Sequence, residues 1–442
     1  MIVLIGLSGS AAFGQFSELF PITNSPYSRL GVGDFVPQYF GAQAGMGGIS
    51  AAFQDPENLN FINPASLASL GVTSLDIGLY AKFSAFSDNN SNSADNQWSG
   101  NINHLALGFQ LFNPINQSVD KKVLPYSWGM GLTLQPYTNV GYYVEAVDNR
   151  DDIGTIRERF KGTGGTYRFQ WGNGFRYKDL SIGVNIGALF GSVETASTVS
   201  FDSLSTAFIP EIYDKTRFNG FTYTVGAQYR VPLNKGAQKA LNREPSKYLV
   251  LGAYGSSEIN FSSTTERTEI VNSLISPRPD TILFDENLEG SGRTPAIFGA
   301  GLVYHHYNHF RIGVDYEASN WSEYENDLRP QSLVDAYRIS AGLEWIPEFD
   351  SYNSYFARAK YRIGGFYSTD PRTVDGEQIT QYAVTLGTTL PILIARQTPS
   401  YFNLGLEVGR FAPNTSLKET YFKMTFTFTL NDNSWFFKRK FN

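Results

Sequence analysis

The 442-residue chain contains no cysteine. That excludes a disulfide framework, a thiolate metal site and a lipidated N-terminal Cys. It also lacks any run approaching the ~20 consecutive apolar residues of a spanning helix. Charged residues make up only 17%, with a formal net charge of -6, which draws no nucleic-acid partner. Of 4 histidines, His305, His306 and His309 stand close in sequence. They fall at a tight turn, and adjacent strand positions point apart, so they are not expected to bind metal. No G-x-S-x-G elbow, phosphate loop or credible catalytic acid pair occurs. The expectation is a protein that is not an enzyme and needs no cofactor.

What the chain has is aromatic side chains and glycine: 34 Phe, 26 Tyr and 42 Gly, with aromatics at 15%. That balance suits a wall greasy outside, polar inside and ringed by aromatics at two interfaces. A mean hydropathy of -0.24 argues against a helical membrane protein. It does not argue against a barrel, because half of each strand faces a polar lumen. Residues 1–14, MIVLIGLSGSAAFG, read as the residue of a signal peptide cleaved before Gln15. They lack a positive n-region, consistent with a start assigned too far downstream; a buried N-terminal strand is the alternative.

From Thr73 onward apolar and polar residues alternate, the mark of strands with two different faces. Phe422, Met424, Phe426, Phe428 and Leu430 share one face; Lys423, Thr425, Thr427 and Thr429 share the other. The runs reach the ~9–11 residues a tilted strand needs to cross a bilayer. Strands are expected at Thr73–Phe86, Asn101–Phe112, Tyr126–Tyr137, Thr166–Tyr177, Leu180–Gly191, Asn219–Val231 and Tyr248–Phe261. The series continues at Ala296–Tyr304, Phe310–Ser319, Ala336–Trp345, Tyr355–Tyr367, Thr380–Leu390, Tyr401–Arg410 and Thr420–Leu430. The fold class is therefore all-β, a 14-stranded antiparallel transmembrane barrel. Short turns such as Lys178-Asp179 and His306–His309 should lie in the periplasm with both termini, and long loops outside. The long loops at 138–165, 192–218 and 262–295 carry further alternation, expected as hairpins above the membrane.

Residues 15–71 behave differently: no sustained alternation, but many Gly, Pro, Asn and Ser, which let a chain turn tightly in a confined lumen. Ser25-Pro26-Tyr27-Ser28-Arg29, the Gly45, Gly47 and Gly48 turn, and Asn63-Pro64-Ala65 stand out. The stretch from Ala44 to Leu70, with fourteen strands behind it, resembles the hatch of the FadL/TodX family of outer-membrane transport proteins. The opening Ser-Pro-Tyr-Ser-Arg resembles Bacteroidota relatives. The resemblance implies a plug carrying the Asn63, Pro64 and Ala65 motif against the inner wall, and uptake of hydrophobic molecules. It also implies a sideways opening where a strand kinks inward; Pro136 and the Gly129/Gly131 pair are candidates, or they mark a normal strand end. The division is then 1–14 signal remnant, 15–71 plug, 72–430 barrel and 431–442 periplasmic tail.

By the alternation, Lys82, Arg168, Arg176, Arg230, Arg311, Arg338, Arg358, Lys360, Arg362 and Lys423 face the lumen, with fewer acids: Asp76, Asp315, Glu317, Glu344 and Glu407. They either steer an anionic head group or, the favoured alternative, pair with one another and with plug backbone groups to hold the hatch. The row Arg358, Lys360 and Arg362 needs partners or solvent. The tail holds Trp435, Phe436, Phe437, Lys438, Arg439 and Lys440, either a partner-docking segment or a disordered overhang. Two functions fit. One is an uptake channel for hydrophobic or amphipathic molecules, the family's commoner role and the leading expectation. The other is a non-transporting subunit of an outer-membrane machine for protein secretion or barrel assembly, in contact with other outer-membrane proteins. In both, outer-membrane lipid surrounds the wall.

Overall fold

The computed structural model describes residues 25–88, 93–111, 124–151, 154–201, 208–234, 246–273, 280–374, 376–392 and 399–432. Its strands in chain order are β1 (Asp34–Phe35), β2 (Thr73–Asp88), β3 (Ser93–Gln110), β4 (Tyr126–Arg150), β5 (Gly154–Tyr177), β6 (Leu180–Phe201), β7 (Phe208–Pro232), β8 (Lys247–Ser256) and β9 (Ile259–Ser273). There follow β10 (Asp280–Thr294), β11 (Ile297–His306), β12 (Phe310–Ser319), β13 (Glu325–Asn326), β14 (Ala336–Trp345), β15 (Lys360–Val374), β16 (Glu377–Ile392), β17 (Ser400–Phe411) and β18 (Leu417–Asp432). Fourteen of these, β2–β8, β11, β12 and β14–β18, close into one antiparallel barrel. The ring is sealed where β18 pairs with β2 over its whole length, from Leu417↔Asp88 to Asp432↔Thr73. Closure satisfies backbone groups that an open sheet would leave bare in lipid.

One face of this wall is apolar and open. Ile182, Val225, Ile312, Ile363, Leu386 and Val408 are each about half exposed, on different strands. Aromatic residues bracket that band, with Trp128, Tyr177, Tyr229 and Trp345 at the end where β2 begins and β18 finishes and Tyr167, Phe190, Phe298 and Tyr367 at the other. Such a belt is stable only in lipid. No helix among the described residues is long and apolar enough to cross a membrane; the strands do so.

The alternation located every barrel strand, and the differences lie at the ends. Tyr248–Phe261 is not one strand. β8 stops at Ser256, and β9 starts at Ile259 to pair with the outer half of β7, Gly220↔Phe261 onward. The alternating pattern runs through this corner because each half keeps one face covered. Likewise Tyr355–Tyr367 begins late. Phe356–Arg358 form a 3-10 turn before β15, so Arg358 leaves the strand face it was expected to share with Lys360 and Arg362. β4, β5, β6 and β7 run far beyond the belt, to Arg150 and Phe201 and from Gly154 and Phe208. With β9 and β10 they form a raised sheet, the hairpins expected in the long loops. The short turns hold positive φ at Lys178 (55°) and Asn308 (60°).

Candidate functional site

The main apolar core is not between sheets but in residues 25–72. Met46, Ile49, Phe53, Leu59 and Leu67 are wholly buried. They pack with Ala42 and Ala52 on Tyr248, Val250 and Val303 of β8 and β11, and with Phe40, Phe61 and Leu70 on Ala106 of β3. Each large side chain buried this way contributes roughly 1.5–3 kcal/mol. The segment meets inward-facing positions all round the ring, and glycine makes room for it. Gly129, Gly174, Gly183 and Gly226 form one cross-strand row over β4–β7. A Cβ at Gly129 would lie 2.0 Å from the Leu67 carbonyl oxygen, and one at Gly183 2.3 Å from Pro64. On β8, a Cβ at Gly252 would lie 2.0 Å from the Ala51 oxygen.

The expected motif sits at this contact. Asn63 caps the 3-10 turn Pro64–Ser69 by accepting from the Ala65 N–H at 3.1 Å. Its amide donates to the carbonyls of Ala51 (2.6 Å), Ala253 (3.2 Å) and Ala227 (3.3 Å), so one side chain ties the segment to β8 and β7. Pro64 and Ala65 are buried against the wall. Gly45, Gly47 and Gly48 follow the short helix α1 (Gly41–Ala44) on the opposite side of the ring. Gly47 (φ +71°) donates its N–H to Thr385 Oγ1 at 2.9 Å, and its carbonyl accepts from Arg338 Nη2 at 3.0 Å.

Several of the inward charges are ion-paired. Arg311 Nη2 lies 3.0 Å from Asp55 Oδ2, and Lys360 Nζ 3.2 Å from Glu57 Oε2. Arg362 Nε reaches Glu344 Oε2 at 2.7 Å, while Arg311 Nε approaches Glu344 Oε1 at 3.5 Å. Burial alone would raise the Asp55 carboxyl, but the Lys360 and Arg311 charges and the Glu57 backbone N–H hold it well below its usual value. Glu407 accepts from Tyr421 (2.7 Å) and Tyr39 (3.4 Å), and Glu317 accepts from Tyr254. Arg358 joins none of these; its guanidinium stands 5.6 Å from the Tyr355 ring. His305 turns inward and stacks on Tyr248, whereas His306 faces His309 with ring centroids 4.4 Å apart. Trp435, Phe436, Phe437, Lys438, Arg439 and Lys440 lie outside the described residues.

A third tie was not foreseen. Arg372 on β15 is buried, bidentate to Asp370 at 2.7 Å through Nε and Nη2, and its Nη1 contacts Asp34 Oδ1 at 2.5 Å and the Tyr27 carbonyl at 2.9 Å. Asp34 belongs to β1, which pairs with β4 at Asp34↔Asn139 and Phe35↔Thr138. That edge is available because β4 leaves its neighbour. The β3–β4 ladder ends at Leu105↔Leu134, and the register with β5 shifts between Pro136 and Thr138. Gln135–Tyr142 are then all buried. Pro136 therefore marks an inward bulge in a continuing strand, which accommodates its missing N–H, and not a strand end. Val36 donates to the Tyr137 carbonyl (3.0 Å), Gln38 to that of Pro136 (2.9 Å), and Gly141 to Ser28 Oγ (3.1 Å), so residues 28–38 take the place β3 vacates. Beside it lies a cavity of ≈ 240 Å³, lined by Phe35, Tyr39, Tyr137, Trp321, Arg168 and Arg338 among others.

A wall of fourteen strands holding this N-terminal segment can be set beside known proteins. The family model BamG matches residues 1–442. The chain belongs to the BamG family. No curated protein matches it. Among solved structures it is similar to the Ralstonia pickettii toluene transporter TbuX, at 14% identity and a TM-score of 0.55 over 90% of this chain and 99% of that one. It is also similar to the Pseudomonas putida toluene transporter TodX (14%, TM-score 0.52, 90% and 99%) and to a Pseudomonas aeruginosa FadL homologue (11%, TM-score 0.53, 90% and 98%). At such identities the likeness is one of fold: a FadL-type barrel, of the outer-membrane kind.

Proposed function

We propose that this barrel is a non-transporting structural subunit of a multi-protein outer-membrane machine, of the barrel-assembly or protein-secretion kind, with residues 25–72 as a fixed plug. The observation that carries the reading is the set of buried ties between segment and wall: Asp55–Arg311, Glu57–Lys360 and Asp34–Arg372. Stripping one partner from a buried pair costs about 3–5 kcal/mol, so moving the segment aside would break several such pairs together. The BamG family model, which spans the chain, favours the same reading. Asn63, Pro64 and Ala65 then serve as the plug's seat and Gly45, Gly47 and Gly48 as its turn. The rim where β18 ends would be periplasmic and the raised sheet extracellular, in keeping with the loop asymmetry. Tyr27 and Arg29 at the start of the plug lie on the raised-sheet side, against Phe411 and Phe160. The tail from Trp435 to Lys440 is a candidate docking element on the periplasmic side.

Uptake of a hydrophobic molecule is the second reading. The ending of the β3–β4 ladder and the aromatic cavity behind it favour it, as does the fold shared with hydrocarbon channels. Extraction from native outer membranes in mild detergent, with co-purifying proteins and lipids both identified, separates the two. A stoichiometric complex without ligand supports the subunit role. The protein emerging alone with a hydrophobic molecule bound would overturn it.

A further inference from the structure

The raised sheet ends on an edge strand with an unusual surface. β10 pairs along its length with β9, but its other edge meets only β13, at Gly292 and Arg293. From Asp280 to Glu289 that edge has no ladder partner among the described residues. In this stretch Ile282 is 65% exposed, Leu283 43% and Phe284 59%. The register with β9 shifts between Thr281 and Leu283, so Ile282 is a bulged residue. Leu283 opposite Glu269 and Phe284 opposite Thr268 point to opposite faces, and both faces of the edge carry an exposed apolar side chain. Lipid does not cover them. Phe284 pairs with Thr268, eight residues along β9 from Asn260 beside the outer aromatic belt, roughly 26 Å along the strand beyond that belt at the usual strand rise. Water-exposed apolar side chains on both faces of an unpaired edge are a liability that proteins normally blunt.

The same strand is acidic. Asp280, Asp285, Glu286 and Glu289 punctuate it, and its one base, Arg293, is engaged by Glu258 and Glu325. On the neighbouring strand Arg267 is taken by Asp214, at 2.7 Å and 2.8 Å. A second copy pairing here would set carboxylate against carboxylate, so self-association is disfavoured. The molecule already uses strand addition once, where β1 occupies the free edge of β4.

We propose that the β10 edge from Asp280 to Glu289 docks an extended segment of a partner protein by strand addition, the segment carrying apolar residues flanked by Lys or Arg. Backbone hydrogen bonds would give affinity, and the apolar triad with its acids would give choice of partner. The inference rests on the subunit reading and names its contact surface.

The test uses the full chain in its native membrane. A photo-crosslinking residue at Leu283 should yield one adduct, with a Lys- or Arg-rich extended segment of another protein. The double substitution Ile282→Lys and Phe284→Lys should lower recovery of that partner about tenfold, a loss of ~1.4 kcal/mol. Heat-modifiability of the barrel should be unchanged, since both side chains are exposed. Persistence of the complex in the double variant, with no adduct at Leu283, would sink the edge and leave the subunit reading standing. A Leu283 adduct with a second copy of this chain would also overturn the proposal. Recovery of no partner protein from wild-type membranes would remove both.

Discussion

Among single residues, Asp55 joins two parts of the molecule, because it is the segment's partner for Arg311 and lies in the field of Lys360. Asp55→Asn is expected to lower the stability of the folded barrel by about 3–5 kcal/mol, read as a fall in the temperature of the heat-modifiable gel shift. A carboxyl held below its unfolded value stabilises the fold at every pH above that value, 3.8, and loses the contribution as pH falls through the folded one. The gap between wild type and variant should therefore be constant near neutrality and close only below about pH 4. A gap that closed at pH 6 would mean another group is responsible. Gly252 makes the complementary point. Gly252→Ala sets a methyl 2.0 Å from the Ala51 oxygen and should cost about 1–3 kcal/mol in the same assay. Gly405→Ala, whose nearest neighbour is 3.4 Å away, should be close to neutral.

Among elements, the β9–β10 hairpin and the ring are separable. β8 pairs directly with β11 from Ile297↔Ser256 to His306↔Lys247, so the barrel closes without the hairpin. Replacing residues 259–294 by a short loop should leave membrane insertion and heat-modifiability intact while removing any partner held at the β10 edge. Failure of the shortened chain to insert would show that the hairpin is needed for assembly. This corner is also where sequence reading stopped short. The alternation through Tyr248–Phe261 is continuous, and only the register of β7 with two successive partners shows where the chain leaves the wall. At Pro136 the sequence left an inward kink and a strand end both open, and only the pairing with β5 shows that a bulge absorbs the missing donor and lets β4 continue.

For the whole molecule, the filled interior makes a measurable statement. Wild type should be electrically silent in planar bilayers. A chain lacking residues 25–70 should still close its ring, because β18 meets β2 without them, and should conduct ions. Conductance by the wild type would instead point to a movable plug and revive uptake. The order of strengths matters here. The buried apolar groups of the segment supply most of its attachment, while the ion pairs, whose desolvation offsets much of their attraction, fix where it sits.

The sequence by itself determined the strand count, the two faces of strands such as β18 and the singularity of the N-terminal segment. All three follow from local periodicity, which a bilayer enforces residue by residue. Asn63-Pro64-Ala65 stood out only through the family resemblance, whereas the lumen-facing set including Arg311, Lys360 and Glu407 was legible from the same periodicity. Their partners were not. Asp55, Glu57 and Asp34 sit in a segment without periodicity, hundreds of residues from the basic side chains they meet. The glycine row on β4–β7 is scattered through the sequence and lines up only through strand register. The free edge of β10 exists only because β8 and β11 close the ring beneath it. Pairings across the chain belong to the tertiary structure, because no local pattern records which distant strand lies alongside.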